Sequence, residues 1–154
     1  MTVRAADLPD PGKTVEPDEV ERFDRIARTW WDPDGDFRPL HELNPIRVAW
    51  LRQALTYHFG LDARAERPFD GLRMVDIGCG GGLVTEAVAG LGADVLGIDA
   101  SPESVRVAEI HAAQQDVNVR YRLAAPEDLV AEGSTFDAVI SLENGPCTEI
   151  ILVN

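Results

Sequence analysis

The sequence predicts an α/β sandwich, a sheet of parallel strands joined by crossover helices. Three observations carry this reading. Short apolar runs at 72–77, 93–99, 117–123 and 136–142 alternate with helical stripes, an order that produces parallel strands rather than hairpins. The first run, LRMVDI, reaches an aspartate and opens into MVDIGCGGG (residues 74–82), where four glycines follow within five residues. The length, 154 residues, is that of one ordinary domain able to bury a sizeable core.

The elements follow in order. Residues 1–17 carry Pro9, Pro11, Pro17 and several acids, without the basic start and apolar core of a signal peptide, and read as a flexible tail. Residues 18–70 form a helical cap and linker. Phe23, Ile26, Ala27 and Trp30 fall on one helical face. Proline and glycine then interrupt the pattern, so residues 31–43 are expected as an irregular loop. Asn44 followed by Pro45 is a cap and first-turn signal for a second helix, with Val48, Leu51, Leu55 and Phe59 as its apolar stripe. Residues 71–143 hold the alternating core. In it Leu83, Val84, Ala87, Val88 and Leu91 mark one helix, Ser101-Pro102 caps another running to about Gln115, and a short helix is expected near 126–131.

Composition narrows the partners. Apolar residues make up 45% and charged residues 27%, ordinary for a globular protein. The formal net charge of -13 repels phosphate backbones and gives no attraction to anionic headgroups. Nucleic acid is therefore not an expected partner, and any membrane contact would have to be apolar. Cys79 and Cys147 are too few and too far apart for a disulfide framework or zinc site, which fits a reducing cytoplasm. No stretch approaches the roughly 18 apolar residues of a membrane span.

In an open α/β sheet ligands bind beyond the carboxyl ends of the strands, which makes the first turn the natural cofactor loop. Glycines there permit positive φ and close approach of a ligand to the backbone. The nicotinamide fingerprint G-x-G-x-x-G fails, because Gly78 and Gly80 are followed by Leu83. A phosphate loop needs a lysine after its last glycine, and the only lysine is Lys13. A carboxylate at Asp76 would repel a pyrophosphate and suit a ligand with ammonium and sulfonium charge, S-adenosylmethionine. Asp99 ends the second strand, where a carboxylate accepts hydrogen bonds from a ribose diol. Ser101 is available to cap the following helix, so Asp99 is expected to be free for that role. The plainer alternative, polar strand ends with glycines serving tight turns, applies to each feature alone; the two aspartates in order within one βαβ unit favour the cofactor.

VDIGCGGG, VLGIDAS and FDAVISLE resemble the first, second and fourth motifs of class I S-adenosylmethionine-dependent methyltransferases. The N-terminal block FDRIARTWWDPDGDFRPLHELNPIRVAWL is similar to that of the ubiquinone-biosynthesis O-methyltransferases, which methylate catechol-type hydroxyls on polyprenylated quinone precursors. The resemblance runs from about residue 20 to Glu143. It implies a Rossmann-like class I methyltransferase sheet, incomplete here, with two N-terminal helices. It implies cofactor contacts at Arg47, Gly78, Gly80, Asp99 and Leu142 beside Asp76: Arg47 with the methionine carboxylate, Asp99 with the ribose, Leu142 near the adenine. It also implies a lipophilic phenol or quinol substrate, and contact with the inner membrane or a quinone-biosynthesis complex. Trp30, Trp31 and Phe37 would cover a prenylated aromatic or anchor the N-terminal helices. His41 is a candidate acceptor for a phenolic proton, though a lone loop histidine is more often structural; no catalytic base is assigned. His58 and His111 carry no catalytic signal.

The chain departs from the family after SLE. The family pattern Glu-x-x-Glu-His brings ligands to a divalent metal such as magnesium; here only Glu143 matches, and SLENGPCTEIILVN follows. Residues 144–154 read as a divergent tail arising from truncation, frameshift or a cloning junction. The family's strand order would leave FDAVISL as an uncovered apolar edge. The rivals are a methyltransferase for another small molecule, a cofactor-binding fragment without turnover, and a nicotinamide oxidoreductase.

Overall fold

The computed structural model describes residues 17–142 and 149–152. Glu143, Cys147 and residues 144–148 and 153–154 of the expected tail lie outside these residues. Pro17 begins the first helix, α1 (Pro17–Trp30), followed by α2 (Arg38–Phe59), β1 (Arg73–Ile77), α3 (Leu83–Gly90), β2 (Asp94–Asp99), α4 (Pro102–Gln114), β3 (Arg120–Leu123), α5 (Pro126–Ala131), β4 (Ala138–Ser141) and β5 (Glu149–Leu152).

The strands form one sheet in the order β3-β2-β1-β4-β5. The first four are parallel, as their alternation with helices requires, and β5 runs antiparallel to β4. The expected open edge at FDAVISL is therefore not found: Ala138 pairs with Leu152 and Ser141 with Glu149. An apolar strand with unpaired backbone groups is satisfied by the nearest segment able to extend, and Glu149–Leu152 carries two isoleucines, a residue that favours strands.

Successive residues of β1 point to opposite faces of the sheet. Met74 belongs to a core with Leu51 and Leu55 of α2, Phe69, Val84 and Val88 of α3, Val95, and Ala138 and Ile140 of β4. Val75 belongs to a smaller core on the other face with Ile98, Ala124 and Leu129 of α5. Asp76, two residues after Met74, shares the face covered by α3. The sheet grows from β1 toward β2 and β3 and then resumes on its other side at β4, so the strand order reverses at β1.

Helix α2 starts at Arg38, ahead of the expected Asn44, and Pro45 lies inside it. Pro39 occupies the first turn, where a missing N–H is harmless, and Pro45 forfeits a single helical hydrogen bond. Asn44 is not a cap: its side-chain Nδ2 donates to the Leu83 carbonyl at 3.3 Å and ties α2 to the start of α3. Arg47 consequently sits in the body of the helix rather than in its first turn. Ser101 caps α4 as expected, its hydroxyl accepting the Ser104 N–H at 3.2 Å.

Gly97 lies in register between Asp76 of β1 and Tyr121 of β3. Tyr121 lies across it, so that a Cβ at Gly97 would meet the ring at 2.6 Å and the Cys79 Cβ at 3.2 Å. Gly97→Ala is expected to destabilise the chain by about 1–3 kcal/mol through overpacking, read as a lower urea midpoint. An unchanged midpoint would show that Tyr121 is not seated there.

Candidate functional site

The turn after β1 is built by the backbone of β2. The N–H groups of Gly78 and Cys79 both donate to the Ile98 carbonyl, at 2.9 and 3.0 Å. Gly80 N–H donates to Asp99 Oδ2 at 2.9 Å, and Ser101 N–H donates to Asp99 Oδ1 at 2.8 Å. One carboxylate thus joins the turns that follow β1 and β2. The expectation that the Ser101 cap leaves Asp99 free is corrected: the cap forms, yet each Asp99 oxygen already accepts one backbone N–H. Each keeps a further lone pair for a ligand.

The glycines divide into two groups. Gly78 has φ +71° and nothing within 4 Å of where a Cβ would stand, so the backbone there faces open space. Gly81 and Gly82 make room for the protein itself, since a Cβ at Gly81 would overlap the Trp30 indole and one at Gly82 would overlap the Tyr121 hydroxyl.

A cavity of about 290 Å³ opens above this turn. Arg47, Asp76, Gly78, Gly80, Asp99 and Leu142, all six expected cofactor residues, line it. They come from α2, β1, the first turn, β2 and the end of β4, and meet where the strand order reverses, the place an open α/β sheet offers a ligand. Trp30 and Phe37 form part of its wall, with ring centroids 5.4 Å apart. Trp31 is not among the lining residues. His41 does not line the cavity either; its Nε2 donates to the Trp30 carbonyl at 3.0 Å and holds the aromatic wall in place.

The cavity carries both signs of charge. Arg47 makes no ion pair among the described residues. Asp76 is only 3% exposed and accepts the Thr85 hydroxyl at 2.7 Å. Burial pushes its carboxyl up to about 7; Thr85 opposes the shift and Asp99 adds to it. A cation entering the cavity would stabilise the carboxylate and expel its proton. Burial likewise pushes the Cys79 thiol and the Tyr121 hydroxyl far up, leaving both protonated.

Sequence reasoning passed over a second polar group behind the turn, in which Glu86 of α3 meets His111 of α4 at 2.6 Å. Their separation of 25 residues leaves no local spacing to read. Asn44 Oδ1, Glu86 Oε1 and Tyr121 Oη are buried without a hydrogen-bond partner among the described residues. No group of three His, Cys, Asp or Glu side chains is placed to hold a metal among the described residues, which do not by themselves make a metal site.

Comparison with known proteins finds methyltransferases. A methyltransferase-domain family model matches residues 74–149, the stretch that holds the glycine turn and the strands of the sheet from β1 onward. The chain is similar to curated ubiquinone biosynthesis O-methyltransferases. It is 50% identical to that of Mesorhizobium japonicum over 137 residues, covering 88% of this chain and 55% of the relative. To that of Parvibaculum lavamentivorans it is 49% identical over 130 residues, covering 84% and 51%. The chain spans about half the length of these curated relatives. Among solved structures, magnesium protoporphyrin IX methyltransferase from Synechocystis PCC 6803 with bound SAM superimposes with a TM-score of 0.57 at 25% identity, covering 80% of this chain and 56% of that one.

Asp76 allows a direct test of the buried charge. In the unfolded chain the group titrates near its ordinary 3.8, and in the folded chain near 7. The folded state therefore holds the extra proton, and the stability this group contributes is lost as pH rises through about 7. Asp76→Asn removes that dependence and keeps an oxygen acceptor for Thr85. It is expected to stabilise the unliganded chain by about 1 kcal/mol or more at pH 8, and by less at pH 5. Urea unfolding at the two pH values reads this; a gain that does not grow with pH would refute the buried, raised carboxyl.

Proposed function

We propose that this chain is the cofactor-binding part of an S-adenosylmethionine-dependent O-methyltransferase acting on catechol-type hydroxyls of polyprenylated quinone precursors. The observation that carries the reading is the single cavity on which Arg47, Asp76, Gly78, Gly80, Asp99 and Leu142 converge. Its opposed charges match a zwitterionic ligand end, an ammonium beside Asp76 and a carboxylate beside Arg47, whose guanidinium offers a two-pronged fork. The homology to ubiquinone biosynthesis O-methyltransferases supports the substrate class.

S-adenosylmethionine, when bound, would supply an electrophilic sulfonium methyl group. The chain's own residues hold and orient. Gly78 admits the ligand against the backbone, and the free lone pairs of Asp99 accept ribose hydroxyls. Leu142, 9% exposed, offers an apolar surface to the adenine. Because Asp99 is already fixed by Gly80 and Ser101, it is ordered before any ligand arrives, which lowers the entropic cost of binding. The remaining contribution is placement of a phenolic oxygen in line with the methyl group at near-attack distance. Trp30 and Phe37 stand at the wall where an aromatic acceptor would lie. No step is drawn through a metal.

Calorimetric titration of the folded chain with S-adenosylhomocysteine tests the reading, with NADH as contrast. Saturable binding of the first and none of the second is expected. Asp99→Ala, which loses both the ribose acceptor and the tie between the turns, is expected to weaken binding by roughly tenfold or more. Absence of binding by a chain that circular dichroism reports as folded would overturn the assignment. Methyl transfer to a catechol acceptor then separates an active enzyme from a cofactor-binding fragment.

A further inference from the structure

A closed circuit of contacts lies behind the glycine turn. Trp31 Nε1 donates to the Gly81 carbonyl at 3.1 Å across fifty residues of chain. The Trp31 indole lies flat on the His111 imidazole, with centroids 3.4 Å apart and planes within 2°. His111 Nδ1 is 2.6 Å from Glu86 Oε2. Glu86 in turn sits in the first turn of α3, where its N–H donates to the Gly82 carbonyl at 2.9 Å. The circuit leaves the turn at Gly81 and returns to it at Gly82.

The groups in this circuit are not those that packing alone selects. Glu86 is 9% exposed, and a carboxyl this buried is rare unless it is paired. Burial pushes Glu86 up to about 7 and His111 down, and both shifts disfavour the charged forms of a pair already joined by a hydrogen bond. His41 of α2 lies near His111 and Tyr121 of β3 lies near Glu86. The hydrogen bond fixes the plane of the imidazole, and the imidazole fixes the indole. The indole N–H then fixes the peptide between Gly81 and Gly82, next to Gly80, a residue that lines the cavity.

We infer that Glu86, His111 and Trp31 are positioning residues for the glycine turn, holding the Gly81 carbonyl so that Gly78 and Gly80 keep the cavity in its ligand-accepting shape. The effect on ligand affinity rests on reading that cavity as the S-adenosylmethionine pocket; the effect on the turn does not.

The test uses the full chain and three variants. Trp31→Phe keeps an aromatic plane against His111 and removes the N–H held by Gly81. His111→Ala removes the support beneath the indole. Glu86→Gln keeps an oxygen that accepts from Nδ1 and is the conservative rescue. Two quantities are measured: amide hydrogen exchange at Gly80, Gly81 and Gly82 without ligand, and the dissociation constant for S-adenosylhomocysteine. Trp31→Phe and His111→Ala are expected to speed exchange at these amides and to raise the dissociation constant roughly tenfold, the loss of one good hydrogen bond. Glu86→Gln is expected to stay within about twofold of the wild type. A role in packing alone would lower the unfolding midpoint and leave both quantities unchanged in the folded variants, which would overturn the inference. If the wild-type chain binds no S-adenosylhomocysteine, the cofactor reading falls, and turn exchange alone decides for or against the positioning role.

Discussion

The site depends on one carboxylate bridging two turns. Asp99 ends β2, yet its oxygens hold the N–H of Gly80 after β1 and of Ser101 before α4. Two adjacent parallel strands deliver their loops to the same edge of the sheet, and nothing in the strand ladder dictates how those loops face each other. Asp99 sets that relation. Once it is set, Gly78 is left with open space in front of it, α3 starts at Leu83, and the cavity has a floor. A residue expected to serve a ligand is first of all a structural bracket, and the bracket is what makes it available to a ligand.

Electrostatics and stability pull against each other at this floor. The chain carries far more acid than base, yet Asp76 is buried beside a second carboxylate with, among the described residues, a threonine hydroxyl as its side-chain partner. Such a group weakens the empty fold at neutral pH, and it persists in folds where a ligand reclaims the loss. Arg47, held on the opposite side by α2, supplies the balancing charge without neutralising Asp76 in a direct pair. The two charges do not cancel each other, which is what the proposed zwitterionic ligand requires.

Much of this was legible in the order of residues, and the division has a physical cause. Asp76, Gly78, Gly80 and Asp99 lie within one strand–helix–strand unit, so local pattern suffices to bring them to one edge. Arg47 and Leu142 reach the cavity from distant elements; periodicity places neither, and only family likeness points to them. The start of α2 was misread because proline and glycine at 33–35 suggest a loop while Asn44-Pro45 imitates a helix start. Pro39 in the first turn and a single forfeited bond at Pro45 let the helix run through. The antiparallel pairing of β5 followed from a need that only the assembled sheet creates. The Glu86–His111 and Trp31–Gly81 contacts span 25 and 50 residues, and each partner looks ordinary in its own segment.

The seat of Trp30 on Gly81 has a consequence for the order of assembly. Synthesis proceeds from the N-terminus, and segments fold as they emerge. The two tryptophans leave the ribosome some fifty residues before the glycines they rest against. His111, on which the Trp31 indole stacks, and the rest of α4, on which α1 packs, leave later still. The turn and its aromatic seat are therefore completed together, by the segment that arrives last of the three.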